Sequence, residues 1–198
     1  MSEPFSAVAQ VTIERPALIA YLEGAPGRAT DWSDWRRIGG DWHGFSWDKD
    51  LPTYLAQVDK RLTGSYRHVV RHLIEPDIVP GTQRCAYDAP HRRFTFATLM
   101  ISENLEELLM FYAAARGLAK YMDAGATGFA AVQDYLWSSP ASTLAVLQIG
   151  PSRSEFLDAQ ADAVTYQHDV SAATAVFDDI KDAAGAPGRV IDELDALH

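Results

Sequence analysis

Phe94 to Trp137, FTFATLMISENLEELLMFYAAARGLAKYMDAGATGFAAVQDYLW, is the longest periodic stretch of the chain and its most apolar, and its reading decides the fold. Phe94 to Ile101 is a short bounded run of aromatic and β-branched residues with apolar side chains on both faces, which predicts an inner strand covered on each side. Asn104 then stands where a helix N-cap should. Its side-chain oxygen could accept the amide of Glu107, Glu107 could reach back, and Glu103 and Glu106 favour the positive helix end. Leu105, Leu108, Leu109, Tyr112, Ala115, Ala119 and Met122 recur at three- and four-residue steps, giving one apolar stripe, with Gly125 as a left-handed terminator. The spacing predicts a helix over 104–123. The Ala, Gln and Leu content of Phe129 to Trp137 predicts a second helix after Thr127, ending at Ser138, Ser139 and Pro140.

Outward from this stretch, Phe5 to Ile13 alternates with a period of two and reads as a strand. Pro16 suits the first turn of a helix over Ala17 to Glu23, and Leu51 to Ile74 returns to helical spacing with a break near Gly64. Thr82 to Tyr87 and Arg92 to Ile101 read as a hairpin, with Arg84, His91, Arg92 and Arg93 near its turn. Thr143 to Ile149 is another β-rich run. Pro76, Pro80 and Gly81 form a connector. Ser152 and Glu155 have capping-box spacing, and Phe156, Ala159, Ala163, Tyr166, Val170, Ala173, Phe177, Ile180 and Ala184 alternate three and four steps over four heptads. A helix of that length would run roughly 45 Å, which implies a projecting arm or a break near His168 to Ser171. Val190, Leu194 and Leu197 supply a last turn or two.

The fold class that follows is α+β: a small, mostly antiparallel sheet of about four to five strands packed with several helices, ending in a long heptad-patterned helix or helical hairpin. Residues 1–151 read as the globular domain. Residues 152–198 read as an acidic helical segment packed on it or mediating association, with Phe156, Ala163, Val170 and Phe177 as the seam of a homodimer.

At 198 residues and 47% apolar the chain can bury one sizeable core. It shows no apolar export segment behind a basic start and no eighteen-residue apolar run, so a cytoplasmic protein without membrane insertion is expected. Cys85 is the only cysteine and has no partner for a disulfide or a thiolate metal site. The net charge of −10 is unevenly divided. Residues 1–93 carry 12 Lys and Arg against 12 Asp and Glu; residues 94–198 carry 5 against 15. Such a field disfavours nucleic acid and anionic lipid and favours a basic protein partner, although acidity also serves solubility.

Two places invite function. In Thr30 to Lys49, TDWSDWRRIGGDWHGFSWDK, Trp32, Trp35, Trp42 and Trp47 interleave with Asp31, Asp34, Asp41 and Asp48, a composition suited to a recognition surface with Trp32 and Trp35 as its exposed pair; the same rings could instead roof the core. Asp162, Asp169, Asp178, Asp179 and Asp182 lie off the heptad seam and make an acidic outer face.

The string RHVVRH, Arg67 to His72, has an Arg-x4-His spacing that resembles the short motif of HEPN ribonucleases. The resemblance covers six residues and implies Arg67 for phosphate contact and His72 for proton transfer, in a family whose domains are all-helical. His68 and His72 share a helix face at a spacing that zinc sites use, but Val69 stands where H-E-x-x-H needs Glu, and a solvated basic face explains the same residues. Asp41 with His43 and Glu75 with His72 are further acid–base pairs. Dinucleotide, P-loop, nucleophile-elbow, C-x-x-C and EF-hand signatures are missing, so no cofactor and no metal are expected. The leading expectation is a non-enzymatic cytoplasmic binding protein, an immunity- or antitoxin-like inhibitor of a basic effector. The alternatives are a small hydrolase or nuclease using Arg67, His68 and His72, and a phage or secretion-system assembly component.

Overall fold

A computed structural model describes residues 3–40, 42, 44–74, 81–183, 194, 196 and 197. Among them the chain forms a six-stranded, wholly antiparallel sheet with five α-helices, an α+β fold with more strands than expected. The strands are β1 (Ser6–Thr12), β2 (Gln83–Asp88), β3 (Arg93–Thr98), β4 (Gly128–Asp134), β5 (Ser142–Gly150) and β6 (Arg153–Phe156), in the order β2-β3-β1-β4-β5-β6. Ala9 of β1 lies opposite both Phe96 of β3 and Ala130 of β4, which puts the N-terminal strand in the interior of the sheet.

Strand alternation divides the side chains between two faces. Ala7, Ala9, Val11, Phe94, Phe96, Ala130, Val132, Ala145, Leu147 and Ile149 enter the larger core. That core is covered by α1 (Arg15–Glu23), α2 (Leu51–Arg61), α3 (Tyr66–Ile74) and α4 (Leu105–Gly117). Val8, Ala97, Leu99, Phe129, Ala131 and Val146 face the other way and receive Ala173, Val176, Phe177 and Ile180 of α5 (Ala163–Ala183). The sheet is thus covered on both faces, which accounts for the two-sided apolar character of β3.

The expected helix at 104–123 is present as α4 followed by a 3₁₀ turn, Leu118–Tyr121. Asn104 caps it, but its side chain accepts the amide of Glu106 at 2.9 Å, not that of Glu107. Glu107 turns instead to Arg61 of α2. The helix has no single apolar stripe: every residue from Leu108 to Gly117 is buried, because α2 and α3 lie over the side that faces away from the sheet. Between α2 and α3 the chain breaks at Gly64, whose φ of +75° suits glycine. The hairpin of β2 and β3 and the strands at Phe5–Ile13 and Thr143–Ile149 lie where the pattern put them.

Two elements differ from expectation. Phe129 to Trp137 is not a helix: its first six residues belong to β4, pairing with β1 and β5. Ser152 and Glu155 form no capping box either. Ser152, at φ +58°, sits in the turn between β5 and β6, and Glu155 pairs with Arg153. The entry to α5 is organised by Asp158, whose carboxylate accepts the amides of Gln160 and Ala161 at 2.8 and 2.9 Å while its own amide donates to Asp162. Those amide bonds hold the Asp158 carboxyl below the usual carboxylate range. The helix is roughly 31 Å long for its 21 residues.

The dimer seam dissolves as a single surface for the same reason. Phe156 ends β6 and is buried in the larger core, Phe177 is buried on the opposite side of the sheet, Ala163 is exposed and Val170 is half-buried. The connector at Pro76 and Pro80, and Ala184 and Val190, lie outside the described residues.

Candidate functional site

The most unusual side chain in the molecule is Arg116. It is the only charged residue between Glu107 and Lys120, and it sits in the last turn of α4, where it is 2% exposed. Its Nη2 donates to Asp34 Oδ1 at 2.6 Å, and its Nη1 donates to the carbonyl and hydroxyl oxygens of Ser154, both at 3.2 Å. Nε is buried with no hydrogen-bond partner among the described residues. The guanidinium carbon stands 4.8 Å from the Phe156 ring, 4.9 Å from Trp35 and 5.3 Å from Trp32, within cation–π range of all three. Burial lowers the Arg116 pKa, against the ion pair with Asp34, which raises it; the group stays charged at neutral pH.

This arrangement explains the Trp-rich segment. Its first part holds two 3₁₀ turns, Ala29–Asp31 and Trp35–Ile38, which no regular period could announce. Trp35, one of the exposed pair if the segment were a recognition surface, is fully buried, as a roof over the core requires; its indole N–H donates to the Ala29 carbonyl at 2.9 Å and its ring lies 6.0 Å from that of Phe156. Trp32 packs edge-on against it and stays half-buried. Asp34 also accepts the Phe156 amide at 3.2 Å, pinning the segment to β6. Trp42 is half-buried beside Phe5 and donates to Gly39, Trp47 packs edge-on against Phe45, and Asp31 is exposed. Asp41 and His43 lie outside the described residues.

Beside Arg116 opens a cleft of about 350 Å³, lined by Trp32, Tyr66, Lys120, Ser152, Ser154 and Arg116 among others. Its wall is close-packed: a Cβ on Gly117 would stand 2.1 Å from Tyr66 Oη, so only glycine lets the Tyr66 ring lie against α4. Tyr66 Oη accepts the Gly27 amide at 2.8 Å, and burial raises its pKa.

The structure does not assemble Arg67, His68 and His72. Arg67 donates to Glu23 at 2.7 Å and to the carbonyls of Leu194 and Leu197, tying the C-terminal segment to α1 and α3. His68 is exposed. His72 turns to the other side, its Nε2 3.1 Å from Arg61 and 3.9 Å from Glu107. Glu75 lies outside the described residues. Near the β2–β3 turn the cations have carboxylate partners: His91 and Arg93 share Asp88, Arg92 pairs with Glu14, and Arg84 pairs with Asp179 of α5.

Of the acidic residues, Asp162 is exposed at the entry to α5, and Asp178, Asp179 and Asp182 are exposed in its last two turns. Asp169 departs from the expectation: it is 7% exposed, with Oδ1 3.0 Å from His168 Nδ1. Asp178 accepts the Tyr135 hydroxyl, and burial together with that carboxylate pushes the Tyr135 pKa up to about 12. Among the described residues no group of three or more His, Cys, Asp or Glu could hold a metal ion, and no helix is long and apolar enough to cross a membrane.

Comparison with protein-family models, curated proteins and solved structures finds no match.

Proposed function

We propose that the protein is a protein-binding inhibitor of the immunity or antitoxin kind, masking a basic effector in the cytoplasm with the outer face of α5. The observation that carries this reading is one continuous stripe along that helix. Val164, His168, Ser171, Ala175, Asp178 and Asp182 follow each other at three- and four-residue steps, all exposed, with Asp179 beside the last two. Val164 is 87% exposed. Small residues in the middle allow close approach, an apolar side chain stands at one end, and a carboxylate group stands at the other.

Contacts within the chain account for part of this arrangement, since Asp178 accepts from the Tyr135 hydroxyl and Asp179 pairs with Arg84. Carboxylates in the last turns of a helix oppose its macrodipole, at about 0.3–1 kcal/mol each, and neighbouring Asp residues repel one another. A cationic partner surface reverses the sign of both terms. Trp35, withdrawn into the core, leaves this face to α5.

The test is capture from the native host with the wild-type protein and with an Asp178→Asn, Asp179→Asn, Asp182→Asn variant, followed by titration of the purified captured protein. A basic partner bound by the wild type, weakened at least tenfold by the triple change and progressively by salt, supports the reading. Binding indifferent to both overturns it.

A further inference from the structure

We propose that the cleft beside Arg116 is a binding site for a small organic anion, a carboxylate carried on a compact aromatic body. This goes beyond the inhibitor reading and does not depend on it. In a chain of net charge −10, the cleft is lined by no acidic side chain among the described residues; Asp34 engages Arg116 from outside it. What faces the cleft is a set of hydrogen-bond donors. Lys120 is exposed and makes no ion pair among the described residues; its ammonium lies 5.4 Å from the centre of the Tyr121 ring. Tyr66 is 3% exposed; its oxygen takes the Gly27 amide, while its proton goes to no acceptor among the described residues. Ser154 Oγ accepts from Arg116, which leaves its own proton free to donate, and Ser152 stands at the rim.

Behind this site Arg116 and Asp34 form a charge-compensated pair, so its net positive charge comes from Lys120. An apolar side chain could fill the space between three aromatic faces as well as a guanidinium does, and desolvating the ion is unfavourable. A buried donor left unpaired costs about 1–3 kcal/mol more, and Arg116 Nε is one. What the guanidinium adds beside the cleft is an uncommitted N–H donor, Nε, while its charge is offset by Asp34. An acceptor-only group complements a rim of donors, and the half-buried Trp32 indole offers a flat apolar wall for a ring attached to it. The volume is near the lower end for small-molecule sites, which excludes large ligands.

Phenylacetate, its neutral isostere phenylacetamide and inorganic phosphate separate the components of this proposal. Each is titrated into the 198-residue chain while the indole N–H resonance of Trp32 is followed. Phenylacetate should saturate with a Kd on the order of 1 mM, as a ligand of this size allows, and phenylacetamide should bind at least tenfold more weakly. Lys120→Met, an exposed change, should weaken phenylacetate about tenfold with an unchanged melting temperature; Tyr66→Phe, checked for folding in the same way, should weaken it severalfold. Equal response to acid and amide, no saturation, or indifference to Lys120→Met would overturn the anion site, and phosphate binding as tightly as phenylacetate would overturn the aromatic body.

Discussion

A guanidinium enclosed by Trp32, Trp35 and Phe156 depends on Asp34 in a way that no surface pair would. Asp34→Ala leaves the charge buried with only Ser154 as partner. The expected loss is about 2–3 kcal/mol, at or below the low end for a broken buried pair because the Asp34 carboxylate keeps some solvent contact. Arg116→Met substitutes an adaptable apolar chain for the charge, so the double variant should recover most of the loss. Urea unfolding of both single variants and the double variant, at constant m-value, checks this, and simple additivity would refute it. One trace of the site was visible in the sequence, a lone Arg in the apolar run YAAARGLA. What could not be read was its partner: Asp34 lies 82 residues earlier in a segment without periodicity, and the contact exists only because β6 brings Phe156 and Ser154 between them.

Elements were legible where one face met solvent or where a cap or turn was spelled out. β1 alternated, Pro16 opened α1, Asn104 opened α4, and Gly64 separated α2 from α3. β4 was misread because its residues are buried on both faces, which erases the period of two, and because Ala and Gln favour helix until two neighbouring strands override that preference. The heptad seam failed at Phe156 for a similar reason: an apolar strand end and an apolar helix face happened to share spacing. On α5 itself the error at Asp169 has a measurable consequence. Burial raises this carboxyl's pKa, His168 opposing, so the unfolded chain loses its proton at a lower pH than the folded one. Stability from this group is full below the ordinary carboxylate value near 4 and falls as pH rises through the folded value. Asp169→Asn should therefore stabilise the protein at pH 7 by on the order of 1 kcal/mol, with the advantage fading towards pH 4. Thermal unfolding at the two values decides it; an equal loss at both would mean that the contact with His168 outweighs burial.

For the whole molecule, the sheet divides two cores of unequal size. Four helices and most of the aromatic rings lie on one side, whereas among the described residues α5 is the one helix on the other, packed there through Ala173, Val176, Phe177 and Ile180 with Leu157 beside them. A single helix held by one narrow face is the cooperative unit that should open first. Native-state hydrogen exchange should find the α5 amides opening well below the free energy of global unfolding, while the interior amides of α4, buried on every side, exchange only with it. Phe177→Ala should lower the α5 opening energy by roughly 3 kcal/mol through the cavity it leaves, and lower that of α4 by no more than the loss of global stability. If α5 is also the docking element, a bound partner must act in the opposite direction. Ligation raises the protection of the element it touches in proportion to ligand excess over Kd, so saturation with a basic partner should lift the α5 amides toward the global limit. Partner-induced protection elsewhere, with α5 unchanged, would move the interface off this helix while leaving the two-core description of the fold intact.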